Sequence, residues 1–159
     1  MEIKRLKGEE ITPDLCRIYT DWMRGESWTK EQKENPTLIA RKYDEEFMSC
    51  YWKTIMATGL GYFSILQHDD KVFGIISGMM GFDDISGVKI AIERYWRVAR
   101  EARGYGKELL KDFEDWAKEN GAKIVITTCM NNQYREKMKR TYEKHGYFDY
   151  VTNYMKIME

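Results

Sequence analysis

Trp96-Arg97-Val98-Ala99-Arg100-Glu101-Ala102-Arg103-Gly104-Tyr105-Gly106-Lys107-Glu108-Leu109-Leu110 is the stretch whose reading decides the fold. Upstream of it, residues 88–98 alternate like a strand. Downstream, Leu109, Leu110, Phe113, Trp116 and Ala117 recur at helical spacing and predict a helix over 107–120. Gly104 and Gly106 lie between the two elements. A strand, a glycine turn and a helix start together present several unpaired backbone N–H groups. Glycine lets a ligand approach that backbone without meeting a Cβ. The positive end of the helix dipole favours an anion there. Arg100, Arg103 and Lys107 add cations, so the stretch reads as a site for a phosphate or pyrophosphate. The plainer alternative is a tight strand-to-helix turn with no ligand.

Two common phosphate loops do not match. Glu108 follows Gly106–Lys107 where the Walker pattern needs Ser or Thr, and Leu109 stands where a dinucleotide fingerprint needs its third glycine. The stretch resembles instead the coenzyme A loop of the Gcn5-related N-acetyltransferases, Gln/Arg-x-x-Gly-x-Gly/Ala. Here that segment is Glu101–Ala102–Arg103–Gly104–Tyr105–Gly106, in the Arg-Gly-Tyr-Gly form of the histone-acetylating branch. Tyr142–Glu143–Lys144–His145–Gly146–Tyr147 is similar to a second segment of that family, Tyr-Glu-Lys-x-Gly-Phe. The likeness extends over 72–159 and is poor before it. One position departs: Glu101 replaces Gln or Arg and puts a negative charge near the expected phosphates.

Composition sets outer bounds. At 159 residues the chain is expected to form one domain. Apolar residues at 43% and charged residues at 33% are a soluble globular balance. Lys plus Arg and Asp plus Glu are 26 each, so no global charge favours nucleic acid. Cys16, Cys50 and Cys129 are odd in number and widely spaced, which gives neither a disulfide framework nor a zinc site. His68 and His145 add too little for a metal, and none is expected. No signal peptide or membrane span is expected: the nearly apolar run 72–82 is short and broken by glycine. These features point to a cytoplasmic protein with reduced thiols. A homodimer is left open.

Along the chain, residues 2–6 alternate as a first strand. Thr12 caps a helix that opens with Pro13 and ends at Gly25. Residues 27–35 read as a loop and 36–58 as a second helix, stopped at Gly59. Strands at 62–67 and 71–80 join through His68–Asp69–Asp70–Lys71. The fourth strand, 88–98, places Lys89, Ala91, Glu93, Tyr95 and Arg97 on one face by strict alternation. After the helix at 107–120 come a strand over 123–130, a helix over 133–145 and strands at 147–150 and 153–158. The expectation is an α/β (α+β) fold with a mixed six- to seven-stranded sheet and helices on both faces, the order of the acyl-CoA N-acyltransferase fold.

The resemblance implies an acetyl-CoA-dependent N-acyltransferase, with the amine attacking the thioester directly in a ternary complex. It implies that the backbone of Trp96, Arg97 and Val98 holds the pantetheine arm and that Glu101, Ala102, Arg103, Gly104, Tyr105, Gly106 and Lys107 hold the phosphates. Asn131 or Asn132 stands near the place of the family's pantetheine-binding Asn, although the usual spacing to Tyr142 falls on Arg135. Tyr142 takes the place of the tyrosine that protonates the departing sulfur; the alternative is a packing tyrosine. Glu93 is the candidate general base, against an exposed strand carboxylate paired with Lys89 or Arg97. Asp83 and Asp84 are weaker candidates. The two helices after the first strand border the acceptor groove in such enzymes, which makes Trp22, Trp28 and Tyr43 candidate acceptor contacts or else core aromatics. The acceptor is an amine on a small molecule or a protein. The alternative function is an acetyltransferase-like module that has lost turnover and serves as a binding or structural subunit.

Overall fold

The sheet is built outward from one hairpin. Strands β2 (Gly61–His68) and β3 (Lys71–Phe82) are joined at Asp69 and Asp70, whose φ angles are 47° and 60°. A two-residue hairpin turn demands that left-handed pair, and Asp tolerates it. The computed structural model describes residues 1–24, 43–129 and 135–151. Among them β1 (Glu2–Arg5), β2, β3, β4 (Lys89–Val98) and β5 (Ile124–Ile126) form a five-stranded sheet in the order β1-β2-β3-β4-β5. The first three pairings are antiparallel and β4–β5 is parallel, so the sheet is mixed as expected.

Helices cover both faces. On one side lie α1 (Pro13–Arg24) and α2 (Glu45–Ala57). Thr12 caps α1 by accepting from Leu15 N–H at 3.2 Å, and Asp44 caps α2 by accepting from Phe47 N–H at 2.8 Å. Because Asp44 is extended, the second helix begins at Glu45, later than the apolar periodicity of 36–58 suggested; 36–42 fall outside the described residues. Leu15, Cys16, Met48 and Trp52 close onto Phe63, Ile65 and Ile75 from this side. On the opposite face α3 (Gly106–Glu119) buries Leu109, Leu110, Phe113, Trp116 and Ala117, the stripe read from the sequence. Tyr62 of β2 meets it with ring centroids 5.3 Å from Phe113 and 4.9 Å from Trp116.

This first compact unit comprises 1–24 and 44–128; the second comprises 25–43 and 129–159. Within the second, α4 (Arg135–Lys144) ends at Gly146, where φ is 85°. The expected strand at 147–150 does not form: Phe148 and Tyr150 are 82% and 72% exposed, outside any ladder. Its aromatic alternation supplies propensity, but no partner strand pairs with it among the described residues, and pairing is what makes a strand. The expected strand at 153–158 lies outside the described residues.

Candidate functional site

An extra residue in β4 creates the site. Ser77 of β3 faces Tyr95, but its neighbour Gly78 faces Glu93, so Arg94 is a β-bulge. The bulge reverses the strand's phase. Ala91 and Glu93 share the face of Met80 and Gly78, toward α3, whereas Tyr95 and Arg97 share the face of Ser77 and Ile75, toward α1 and α2. The single face expected for Lys89, Ala91, Glu93, Tyr95 and Arg97 is therefore corrected. Tyr95 confirms the switch: its ring centroid is 4.9 Å from Tyr19 and 5.8 Å from Trp52.

The bulge also ends a ladder. Strand β5 pairs with β4 only over Ile90–Ile92 against Ile124–Ile126, while β4 runs on to Val98. The strand expected over 123–130 is accordingly short. Thr127, Thr128 and Cys129 are described but are not in a strand, although Thr is β-branched and favours one. The β4–β5 ladder thus stops at Ile92, and β4 runs on through Trp96, Arg97 and Val98 toward the glycine loop.

Glu93 lies one residue past that last rung. It is 2% exposed, and its Oε2 accepts a hydrogen bond from Thr128 N–H at 3.0 Å. Burial pushes its carboxyl up to about 7, outweighing the Thr128 bond and the Arg94 charge, which act the other way. The exposed, ion-paired carboxylate considered from the sequence is not what forms, and no ion pair to Glu93 occurs among the described residues. A carboxyl held near neutral pH in a buried position can take up a proton at physiological pH.

The loop beyond the end of β4 is partly self-satisfied. Ala99 N–H bonds Phe73 O at 2.7 Å, and a 3₁₀ turn covers Arg100–Ala102. Ala102, Arg103 and Tyr105 donate to Ala99 O, Arg100 O and Ala102 O. Among the described residues no hydrogen bond takes the N–H groups of Gly104, Gly106 or Lys107, which are the orphan donors of a helix start. Gly104 has φ of 104° and open space where a Cβ would stand. Arg100, Glu101, Arg103, Tyr105 and Lys107 are exposed around it, while Ala102 is buried beneath. Gly106 also has a packing role: a Cβ there would lie 3.3 Å from Val98 Cγ2 and 3.4 Å from Trp96 Cζ2, so the glycine lets α3 lie close to β4.

The remaining candidates divide. Tyr142 is 7% exposed on α4, with its ring 5.5 Å from Tyr147. Asn131, Asn132 and Trp28 lie outside the described residues. Trp22 packs on the core beneath β4, and Tyr43 is 36% exposed. Asp83 is occupied in its own turn, accepting from Ser86 N–H and Oγ. His68 lies exposed beside Asp69. No His, Cys, Asp and Glu cluster fit for a metal occurs among the described residues. Sequence reasoning missed Thr128, whose backbone donor carries no side-chain signature.

Residues 10–147 match the family model described as the acetyltransferase (GNAT) family. Solved structures share the fold at low identity. An aminoglycoside acetyltransferase from an uncultured soil metagenomic sample superposes with a TM-score of 0.73 at 11% identity, covering 99% of this chain and 98% of its own. Glucosamine-6-phosphate N-acetyltransferase from Arabidopsis thaliana gives 0.69 at 17% identity, with 99% and 98% covered. A putative acetyl transferase from Pyrococcus furiosus gives 0.63 at 24% identity, with 99% and 100% covered. No curated protein sequence matches the chain.

Proposed function

The chain belongs to the Gcn5-related N-acetyltransferase (GNAT) family, and on that premise we propose that it transfers an acetyl group from acetyl-CoA to an amine. The observation that carries this reading is that β4 continues past its last rung with β5, with buried Glu93 one residue beyond that rung. The residues fit the co-substrate. Gly104, Gly106 and Lys107 offer backbone donors to a pyrophosphate, and the exposed Arg100, Arg103 and Lys107 add charge. The stretch Trp96–Val98 would bind the pantetheine arm as an added strand binds an edge. Exposed Glu101 opposes the phosphates, and the arginines on either side of it in the loop offset it.

Acetyl-CoA supplies an activated acyl group with a thiol as leaving group. Glu93 takes a proton from the amine, directly or through a water, and frees the lone pair that forms the new N–C bond. The C–S bond breaks with its electron pair on sulfur. Tyr142 is assigned the return of a proton to that sulfur, since a phenol is a donor at neutral pH. The products are an amide and free CoA thiol: of the two protons the nitrogen loses, the first goes to Glu93 and on to solvent, and the second, released as the N–C bond forms, restores the phenol through solvent. The acceptor is an amine on a small molecule or a protein. Thiol release from acetyl-CoA across a panel of amines tests the proposal. Amine-dependent release is expected; CoA binding with no release for any amine would favour the non-catalytic module instead.

A further inference from the structure

We infer that Arg94 binds a carboxylate on the acceptor, so that the amine this chain acetylates belongs to an amino acid; this rests on the acetyl-transfer reading above. Arg94 is the extra residue of the bulge. Gly78 pairs with Glu93 and Ser77 with Tyr95, which leaves Arg94 with no residue opposite it in β3. On the other edge of β4 the ladder with β5 has already stopped at Ile92. A residue between two such breaks has no cross-strand neighbour to hold its side chain. Arg94 is exposed, although Glu93 before it is buried and Tyr95 after it is half-buried. Its guanidinium has no ion-pair or hydrogen-bond partner among the described residues. Burial raises both the Glu93 carboxyl and the Tyr95 phenol, and the Arg94 charge acts against that rise at each of them.

The amine has to come to Glu93. A general base works within hydrogen-bond reach, about 2.6–3.2 Å, or through one water. Arg94 follows Glu93 in the chain, about 3.8 Å on from Cα to Cα. A carboxylate one carbon away from that amine therefore falls within the sweep of the Arg94 side chain, whose planar fork takes both carboxylate oxygens. The charges around the site favour such a group. Glu93 is the sole carboxylate in strands β2 to β5. Asp83 and Asp84 belong to the turn before β4, several residues back along the strand. Arg97, also beyond the last rung with β5, is half-buried with its Nη1 3.7 Å from Met23 Sδ and adds positive potential. A second ammonium on the acceptor, as in a diamine, would meet two guanidiniums with no further strand carboxylate to offset them. An amino acid brings the complementary charge.

The test is thiol release from acetyl-CoA by the full chain, for the wild type, Arg94→Gln and Arg94→Lys. Glycine, alanine and phenylalanine are each offered as the free amino acid and as the amide, with ethylamine and diaminobutane as acceptors that lack a carboxylate. Each amide keeps the amine and side chain and loses only the carboxylate charge. Its amine pKa, near the α-amino value of about 7.7–8.0, favours it chemically at neutral pH. The wild type should nonetheless use at least one amino acid with kcat/KM about tenfold or more above that of its amide. For that acid, Arg94→Gln should raise KM and lower kcat/KM by about tenfold or more, while changing the amide by less than about threefold. Arg94→Lys should restore part of the loss, because it keeps the charge without the fork. Any effect of Arg94 on the ionisation of Glu93 falls equally on acid and amide and cancels in their ratio. Release with the amides or the plain amines but not with the amino acids would overturn the inference and leave acetyl transfer standing. So would a loss in Arg94→Gln that is equal for acid and amide. The wild-type arm needs no variant. CoA binding with no release for any amine would overturn both.

Discussion

Glu93 accepts a hydrogen bond from the Thr128 backbone and is otherwise sealed from solvent, so removing its charge has two separable consequences. The first is kinetic. Glu93→Gln keeps shape and the Thr128 bond but cannot take a proton, so turnover should fall by about 10²–10⁴-fold, read by thiol release. Wild-type rate should rise with pH through about 7, because the base works only when ionised, and the variant should lack that limb. The second is stability, with its sign fixed by linkage. The folded carboxyl titrates at about 7, above its ordinary 4.5, so the folded state holds more protons between those values. Stability from this group is present below about pH 4.5 and is lost as pH rises through 7. Glu93→Gln should therefore gain on the wild type between pH 5 and pH 8, by up to about 3 kcal/mol, seen as a growing difference in melting temperature. A difference that does not change with pH would mean the group is not protonated in the fold. At Tyr142, Tyr142→Phe keeps the ring against Tyr147 and removes the phenolic donor. Turnover should drop by roughly ten- to a thousandfold with acetyl-CoA affinity little changed; full turnover would assign the hydroxyl to packing.

At the scale of elements, the loop between β4 and α3 separates two glycines that look alike in sequence. Gly104 is fixed by conformation: at φ of 104° a side chain is strained whatever the room around it. Gly104→Ala should cost about 1–3 kcal/mol in thermal or urea unfolding. Gly106 is limited by packing, since a Cβ there would already stand 3.3 Å from Val98 and 3.4 Å from Trp96, and a larger side chain would press on both. Gly106→Val should lift α3 off β4, lowering the melting point as well as CoA affinity; a variant of wild-type stability would contradict the packing role. Arg103→Ala acts on charge alone. It should weaken CoA most at low salt, with the difference shrinking as salt rises, because exposed attraction is screened over about 10 Å at 0.1 M. Element identity was legible where a pattern was local. The stripe Leu109, Leu110, Phe113, Trp116 and Ala117 settled α3, and Thr12–Pro13 settled the start of α1. The bulge at Arg94 was not legible, because one extra residue leaves the alternation of letters intact while reversing its meaning. Strand β5 read too long for a related reason: Thr127 and Thr128 suit a strand, but the ladder with β4 stops at Ile126 and the Thr128 N–H bonds the Glu93 side chain instead.

For the whole molecule, the family was readable from two short segments, Glu101–Gly106 and Tyr142–Tyr147, and the family model spans 10–147, well beyond the stretch where the likeness was visible. The first seventy residues carry the sheet's β1 edge and the α1–α2 face, whose composition any aromatic-rich core would satisfy, so their role could not be read from letters alone. Among the described residues no helix is long and apolar enough to cross a membrane. The central claim is that Glu93 deprotonates an amine beside a thioester held along β4. It is tested most directly by acetyl-CoA thiol release with an amine panel, comparing wild type with Glu93→Gln in the presence of a thermal-shift control. A ligand at 100 times its dissociation constant should stabilise both proteins by about 2.7 kcal/mol. The account predicts equal stabilisation by acetyl-CoA and amine-dependent release that survives only in the wild type. Undiminished release in a folded, CoA-binding Glu93→Gln protein would contradict it.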